Sequence, residues 1–294
     1  MRKFTFILLT VAMCWFAAYA AHAAELSVPA KNIAGAGLSV NASGTGSATF
    51  FLIGPATVLK REINLGEPIA ISGDEARTAG RYVAILLAGG ESNSKEFVVT
   101  PAKPAELVFL ARPSRVATAQ KDAISGVAFV FDEFKNLVLA PAPVKFELSV
   151  EGHAPVMRAV TSREGIAWAH MDSTHNQGPA QFVASLPGAS GAEASVRRVV
   201  QQVAAEACNL HMKAEPAGKS VVVETDPVKD CSGNPLPDGT IVTFTETDSS
   251  GRSTVDARIK KDVARAELPL SPGASITVAS GVVLGNEIQL GGAR

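Results

Sequence analysis

The amino-acid sequence predicts an all-β chain built from β-sandwiches in tandem. Three observations lead there. Short runs rich in Val, Ile, Phe and Thr recur along the whole chain, separated by Gly, Pro, Asn, Asp and Ser, which is the spacing of sandwich strands and turns. Helix-period stretches are nearly absent. A set of spaced residues also occurs twice, which is the mark of a duplicated unit.

In chain order, the first segment is MRKFTFILLTVAMCWFAAYAAHAAE. It has a basic start, an apolar stretch and the small-residue tripeptide Ala21-His22-Ala23, and so reads as an export signal over residues 1–23, cleaved after Ala23. No later segment approaches the roughly 18 consecutive apolar residues of a membrane span. The formal net charge is −1, without a basic block, which gives no support to nucleic acid or an anionic membrane as partner. Charged residues at 19% and hydrophobic residues at 47% fit folded domains rather than disorder.

The first unit, 24–101, contains the strand-like runs Ser47–Ile53, Arg81–Ala88 and Lys95–Thr100. Its Asp74–Ile85 stretch places Gly80-x-Tyr82 at the entry to a strand, a pattern of immunoglobulin-like sandwiches in which the tyrosine hydroxyl ties a corner to backbone; a half-exposed strand tyrosine is the competing reading. The segment PAKPAE, 101–106, is a short, stiff linker. The second unit, 104–203, has the runs Val127–Phe131, Val144–Val150 and Ala180–Leu186. The third, 206–294, has Lys219–Thr225, Thr240–Glu246 and Ala274–Ser280. Ala194–Ala207 is compatible with a helix but is read as the last strand of the second unit running into the third.

The repeat relates the second and third units. Val130, Asp132, Asn136, Val144 and Phe146 return as Val228, Asp230, Asn234, Val242 and Phe244, all 98 positions later. Leu107-x3-Ala111-x-Pro113 matches Leu210-x3-Ala214-x-Pro216, Ala167-x-Ala169 matches Ala264-x-Ala266, and Val183-Ala184-Ser185 matches Val278-Ala279-Ser280. The offset drifts because strands are retained while loops change length.

Removing the export signal takes Cys14 with it and leaves Cys208 and Cys231 in an oxidising compartment. One disulfide between them is the economical reading; two unpaired buried thiols is the other. Closing that loop stabilises the native state by about 3 kcal/mol on the loop-entropy account.

The segment VKDCSGNPLPDGTIVTFT resembles the bacterial immunoglobulin-like domains of the invasin and intimin type, in which a Val-x-Asp-x-x-Gly-Asn-Pro-x-Pro loop leads into a Val-x-Phe strand. Val228, Asp230, Gly233, Asn234, Pro235 and Pro237 fill that pattern, followed by Val242 and Phe244. The second unit keeps less of it, since Asn136 is followed by Leu-Val-Leu-Ala and a late Pro141. The resemblance covers about two-thirds of the chain and implies tandem immunoglobulin-like sandwiches. Such domains serve mostly as spacers and stalks in surface adhesins, and no receptor-binding motif carries over residue by residue. In such a sandwich the first strand begins at the pole where the second ends, which brings Cys208 beside Cys231.

The motifs of common enzyme classes are missing: there is no Gly-x-Ser-x-Gly elbow, phosphate loop, Gly-x-Gly-x-x-Gly turn or His-Glu-x-x-His pair. The chain therefore reads as non-enzymatic, with no catalytic residue, cofactor or metal ion expected. Two clusters carry weaker chemistry. His170, Asp172 and His175 hold zinc-ligand side chains, but their spacing favours a solvated loop; His153 and His211 look isolated. Asp226, Asp230, Asn234 and Asp238 carry calcium-type oxygens, against which stands their use as local turn caps around Asp238-Gly239. The function expected is an exported structural or interaction module, in the periplasm, at the cell surface or outside the cell, meeting an unidentified protein or glycan at the envelope. A binding protein for glycan or peptide is the competing class, and the exposure of Trp168 and Tyr82 bears on it.

Overall fold

The computed structural model describes residues 24–189, 191 and 194–291. The expected export signal and its cleavage point at Ala23 lie outside the described residues. Among the described residues there is no α-helix, and no helix long and apolar enough to cross a membrane. The described residues divide into two compact units, one of residues 24–103 with 132–136 and one of residues 104–131 with 137–291.

The first unit is a sandwich of two sheets. One has the strand order β2 (Lys31–Ile33), β8 (Glu91–Thr100), β7 (Gly80–Ala88), β4 (Ser47–Ile53), β5 (Val58–Asn64). The other has the order β1 (Leu26–Ser27), β3 (Leu38–Ala42), β6 (Pro68–Ile71). Strict alternation explains the core: β4 buries Ala48, Phe50 and Leu52, and β7 buries Tyr82, Ala84 and Leu86, while the residues between them face outward. Tyr82 is fully buried, stacks on Phe97 at 5.3 Å between ring centroids and donates its hydroxyl to the Thr78 carbonyl at 3.0 Å. Gly54 lies under that ring, where a Cβ would come within 2.2 Å of it. The corner expected from Gly80-x-Tyr82 is present, and burial pushes the Tyr82 phenol pKa up.

The second unit contains two hydrophobic cores. The first lies between a five-stranded sheet, β10 (Arg115–Ala117), β16 (Ser195–Val203), β15 (Gly178–Ser185), β12 (Pro143–Val150), β13 (Val156–Thr161), and a three-stranded sheet, β14 (Ile166–Met171), β11 (Ile124–Phe131), β9 (Glu106–Arg112). Phe109, Phe146 and Phe182 meet at its centre with ring centroids 5.1–6.1 Å apart. Gly126 leaves room for them, since a Cβ there would sit 2.7 Å from the Phe182 ring. The doubtful Ala194–Ala207 segment is strand over Ser195–Val203.

The last core lies between β22 (Gly251–Arg258), β21 (Ile241–Asp248), β24 (Ser275–Ser280), β25 (Val283–Gln289) and the sheet β18 (Met212–Ala217), β19 (Ser220–Thr225), β23 (Arg265–Pro269). A short pair, β17 (Ala207–Cys208) with β20 (Lys229–Asp230), closes one end. Val144 and Phe146 on β12 and their repeat partners Val242 and Phe244 on β21 are all fully buried. The duplicated hydrophobic residues are thus equivalent core positions.

Tyr82→Phe keeps the ring and removes the hydroxyl that caps the corner, leaving the Thr78 carbonyl without it. It is expected to cost about 1 kcal/mol, read as a lower urea midpoint at unchanged slope.

Candidate functional site

The loop that opens KDCSGNPLPDG contains an extended polar network. Asp230 is buried at its start. Its Oδ1 accepts from the backbone N–H groups of Ser232 and Asn234, both at 2.9 Å. Its Oδ2 accepts from the Thr118 hydroxyl at 2.7 Å, the Ala205 N–H at 3.1 Å and the Asn234 amide at 2.9 Å. Thr118 belongs to the preceding sandwich and is itself fully buried. Asn234 then makes a two-point contact with that sandwich: its Nδ2 donates to the His175 carbonyl at 2.7 Å and its Oδ1 accepts from the Gln177 N–H at 3.1 Å. His175 Nδ1 meets the Ser232 hydroxyl at 3.1 Å.

The same arrangement occurs inside the first unit, with the repeat partners Asp132 and Asn136. Asp132 Oδ1 accepts from Phe134 N–H and Asn136 N–H, and Oδ2 accepts from Ala102 N–H and the Asn136 amide. Asn136 donates to the Arg77 carbonyl and accepts from Ala79 N–H, both at 2.8 Å. In each copy the Asp caps its own loop and the linker, and the Asn reads a carbonyl and an N–H two residues apart. Sequence reasoning found the turn caps and missed the second partner of each. The repeat was the signal that could have shown it, because a purely local cap has no need to recur with both residue types preserved.

Burial by itself would raise the Asp230 pKa, but the hydrogen bonds from Asn234, Thr118 and Ala205 outweigh it and hold the carboxyl down to about 2 from an ordinary 3.8. The other members of the candidate calcium loop have protein partners elsewhere. Asp226 pairs with Lys213 Nζ at 2.8 Å and His211 Nδ1 at 3.3 Å, and the Lys213 hydrogen bond is the main cause lowering its pKa. Asp238 accepts from Lys261 N–H at 2.9 Å. His211, expected to be isolated, therefore contacts Asp226 through its ring.

Cys208 and Cys231 are joined by a disulfide with 5.0 Å between their Cα atoms. The β17–β20 pairing sets Cys208 opposite Lys229, two residues before Cys231. The bridge thus ties the start of the last sandwich to the loop that carries Asp230.

A second region lies at the side of the middle sandwich. His153, His170 and His175 line one cleft of about 480 Å³ between the outer strands β13 and β14, together with Arg158 and Asp172. His153 itself is exposed and makes no side-chain contact with the other two histidines among the described residues. Among the described residues no group of three such side chains is placed to hold a metal ion. Arg158 Nη1 donates to the His170 carbonyl at 2.6 Å, and Asp172 accepts from the Asp122 N–H at 2.8 Å. Trp168 stands beside the cleft, exposed, with its ring edge-on to His170 at 5.2 Å.

By sequence, no protein-family profile and no curated protein matches the chain. By structure it is similar to the Escherichia coli adhesin FdeC, with a TM-score of 0.60 at 16% identity over 92% of this chain and 96% of FdeC. It is also similar to InvD of Yersinia pseudotuberculosis, with a TM-score of 0.52 at 13% identity over 92% of this chain and 98% of InvD. The fold shared with both is that of tandem immunoglobulin-like β-sandwiches. Within such a domain, Asp230 lies in the loop between the two facing sheets, at the pole where the preceding immunoglobulin-like sandwich ends.

Two outcomes are expected. Replacing both cysteines by serine is expected to lower the unfolding free energy by about 3 kcal/mol in urea titrations of the oxidised protein. For Asp230, the folded pKa lies below the unfolded one, so its contribution is complete above about pH 4 and is lost as pH falls toward 2. Its size is on the order of 2 kcal/mol. Asp230→Asn is expected to be less stable at pH 7 and to show a flatter dependence between pH 4 and pH 2 than the parent protein.

Proposed function

We propose that this chain is an exported, non-enzymatic array of immunoglobulin-like sandwiches, at 24–101, 104–203 and 206–294, that serves as a stiff, adhesion-related interaction module at or outside the cell envelope. The observation that carries the reading is the Asp230–Asn234 joint. A buried carboxylate with five donors and an amide bonded at both ends hold two successive sandwiches in one arrangement, where a plain linker would leave them free to swivel. Three separate cores support the partition, and the adhesin FdeC, similar in fold, supports the adhesive role. The mechanism is rigid presentation of loops and sheet faces, without bond chemistry.

The competing reading, a periplasmic or secreted receptor for a glycan or peptide, draws on Trp168. The ring is exposed beside a polar cleft, whereas Tyr82 is buried and offers no second platform.

Spin labels on cysteines substituted at Arg197 and Thr254 report the geometry across the joint in the oxidised full chain. A narrow distance distribution is expected, broadening in Asn234→Ala; a distribution already broad in the parent protein would overturn rigid presentation. Fractionation of the native cells is expected to find the chain outside the cytoplasm and starting at Ala24. A cytosolic pool with an intact N-terminus would overturn export.

A further inference from the structure

The cleft at the side of the middle sandwich is lined from three separate segments. His153 comes from the turn after β12, Arg158 from β13, and His170 and Asp172 from β14 and the loop that follows it. Its volume of about 480 Å³ falls among those of small-ligand sites, about 300–1,000 Å³. The protein uses its polar groups only in part. Arg158 gives Nη1 to the His170 carbonyl, and the other N–H groups of its fork have no partner among the described residues. Asp172 takes the Asp122 N–H on Oδ1 and keeps Oδ2 uncommitted. His170 Nδ1 is enclosed without a hydrogen-bond partner, an orphan that folded proteins seldom leave. Trp168, 60% exposed, makes a corner with the His170 ring, the two planes standing 70° apart.

Nothing in the fold requires these side chains. The match of Ala167-x-Ala169 to Ala264-x-Ala266 puts Arg265 and Glu267 of the last sandwich in the places of Trp168 and His170. There Arg265 pairs with Glu224, and Glu267 accepts from the Ser220 hydroxyl, so the residues are satisfied within the protein. The middle sandwich instead leaves Trp168 exposed, with Leu110 and Ile166 on the same sheet face.

We infer that this cleft binds a pyranose sugar that carries one carboxylate. The ring of such a sugar has an apolar C–H face that lies flat on Trp168. Its carboxylate meets the free side of the Arg158 fork, which matches two oxygens at once and is already held in place through Nη1. Its hydroxyls donate to Asp172 Oδ2 and bond to the exposed His153 ring. A polyanion fits less well, because Asp172 sets a negative charge in the same cleft and the chain has no basic block. An extended peptide fits less well too. Strand addition would need the open edge of β14, where Arg158 occupies the His170 carbonyl and Arg163 bonds both the N–H and the carbonyl of Ile166.

The inference deepens the receptor reading and rests on it. Trp15 lies in the expected export signal, so in the chain starting at Ala24 the sole tryptophan is Trp168 and its fluorescence reports this cleft alone. That chain is titrated with glucuronic acid, N-acetylneuraminic acid, glucose and N-acetylglucosamine. A saturable change is expected with at least one of the two acids at a Kd of about 1 mM, and the neutral sugars are expected to bind about tenfold more weakly or less. Arg158→Gln is expected to bring the acid down to the affinity of its neutral counterpart at unchanged thermal midpoint. Trp168→Leu, followed by calorimetry, is expected to abolish binding of both. Val199→Lys, on an exposed position of the opposite sheet, is expected to change nothing. Saturation by neither acid, or an affinity for the acid that survives Arg158→Gln, would overturn the inference. Neutral sugars bound as tightly as the acids would overturn it and leave a glycan receptor standing, whereas no response to any of the four sugars counts against both.

Discussion

The structure turns on a carboxylate that is buried and yet stays charged. Asp230 sits where a loop, a linker and a neighbouring sandwich converge, and each supplies a hydrogen-bond donor to it. An ionised group in that position is tolerable only when its oxygens are fully engaged, because burial without partners costs several kcal/mol. That requirement makes the site all-or-none. Shifting the loop, the linker or the preceding sandwich strands a charge. The disulfide beside it limits such shifts from one side, and Asn234 limits them from the other.

Asp132 and Asn136 show that this is a built unit and not an accident of one loop. Both copies use the carboxylate on the linker N–H and the amide on a carbonyl and N–H pair two residues apart. For the two amides the target is backbone, whereas Asp230 adds a side-chain donor, the Thr118 hydroxyl, for which Asp132 has no equivalent among the described residues. The outer faces of the repeated sandwiches have diverged most, from apolar in one to ion-paired in the other, over cores that keep the same alternation.

Much of the fold was legible in the residues themselves. Strands buried on one face, such as β4, β7, β12 and β21, announce themselves by alternation, and all were read within a residue or two. The outer strands were not. β13 is exposed at nearly every position and β22 along most of its length, so neither carries the period-two pattern on which such reading depends. The candidate site divides the same way. Asp230, Asn234 and the cysteine pair stood out as a motif. His153 did not, because the cleft it shares with His170 and His175 is assembled from two sheets and no spacing in the chain records it.

The sequence by itself determined the all-β class, the duplication and the inward half of the strands it read, and made a Cys208–Cys231 bridge the economical reading that the structure then showed. These rest on local periodicity and on counting, which survive without coordinates. Tertiary structure alone decided what Asp230 is for and which sheet faces water with an apolar surface. Thr118 and Asp230 are 112 positions apart, and their hydrogen bond exists only once two separate cores have formed and met. Whether an alternating residue points to core or to solvent is set by the register of three strands together, and a single strand read alone shows only that its two faces differ.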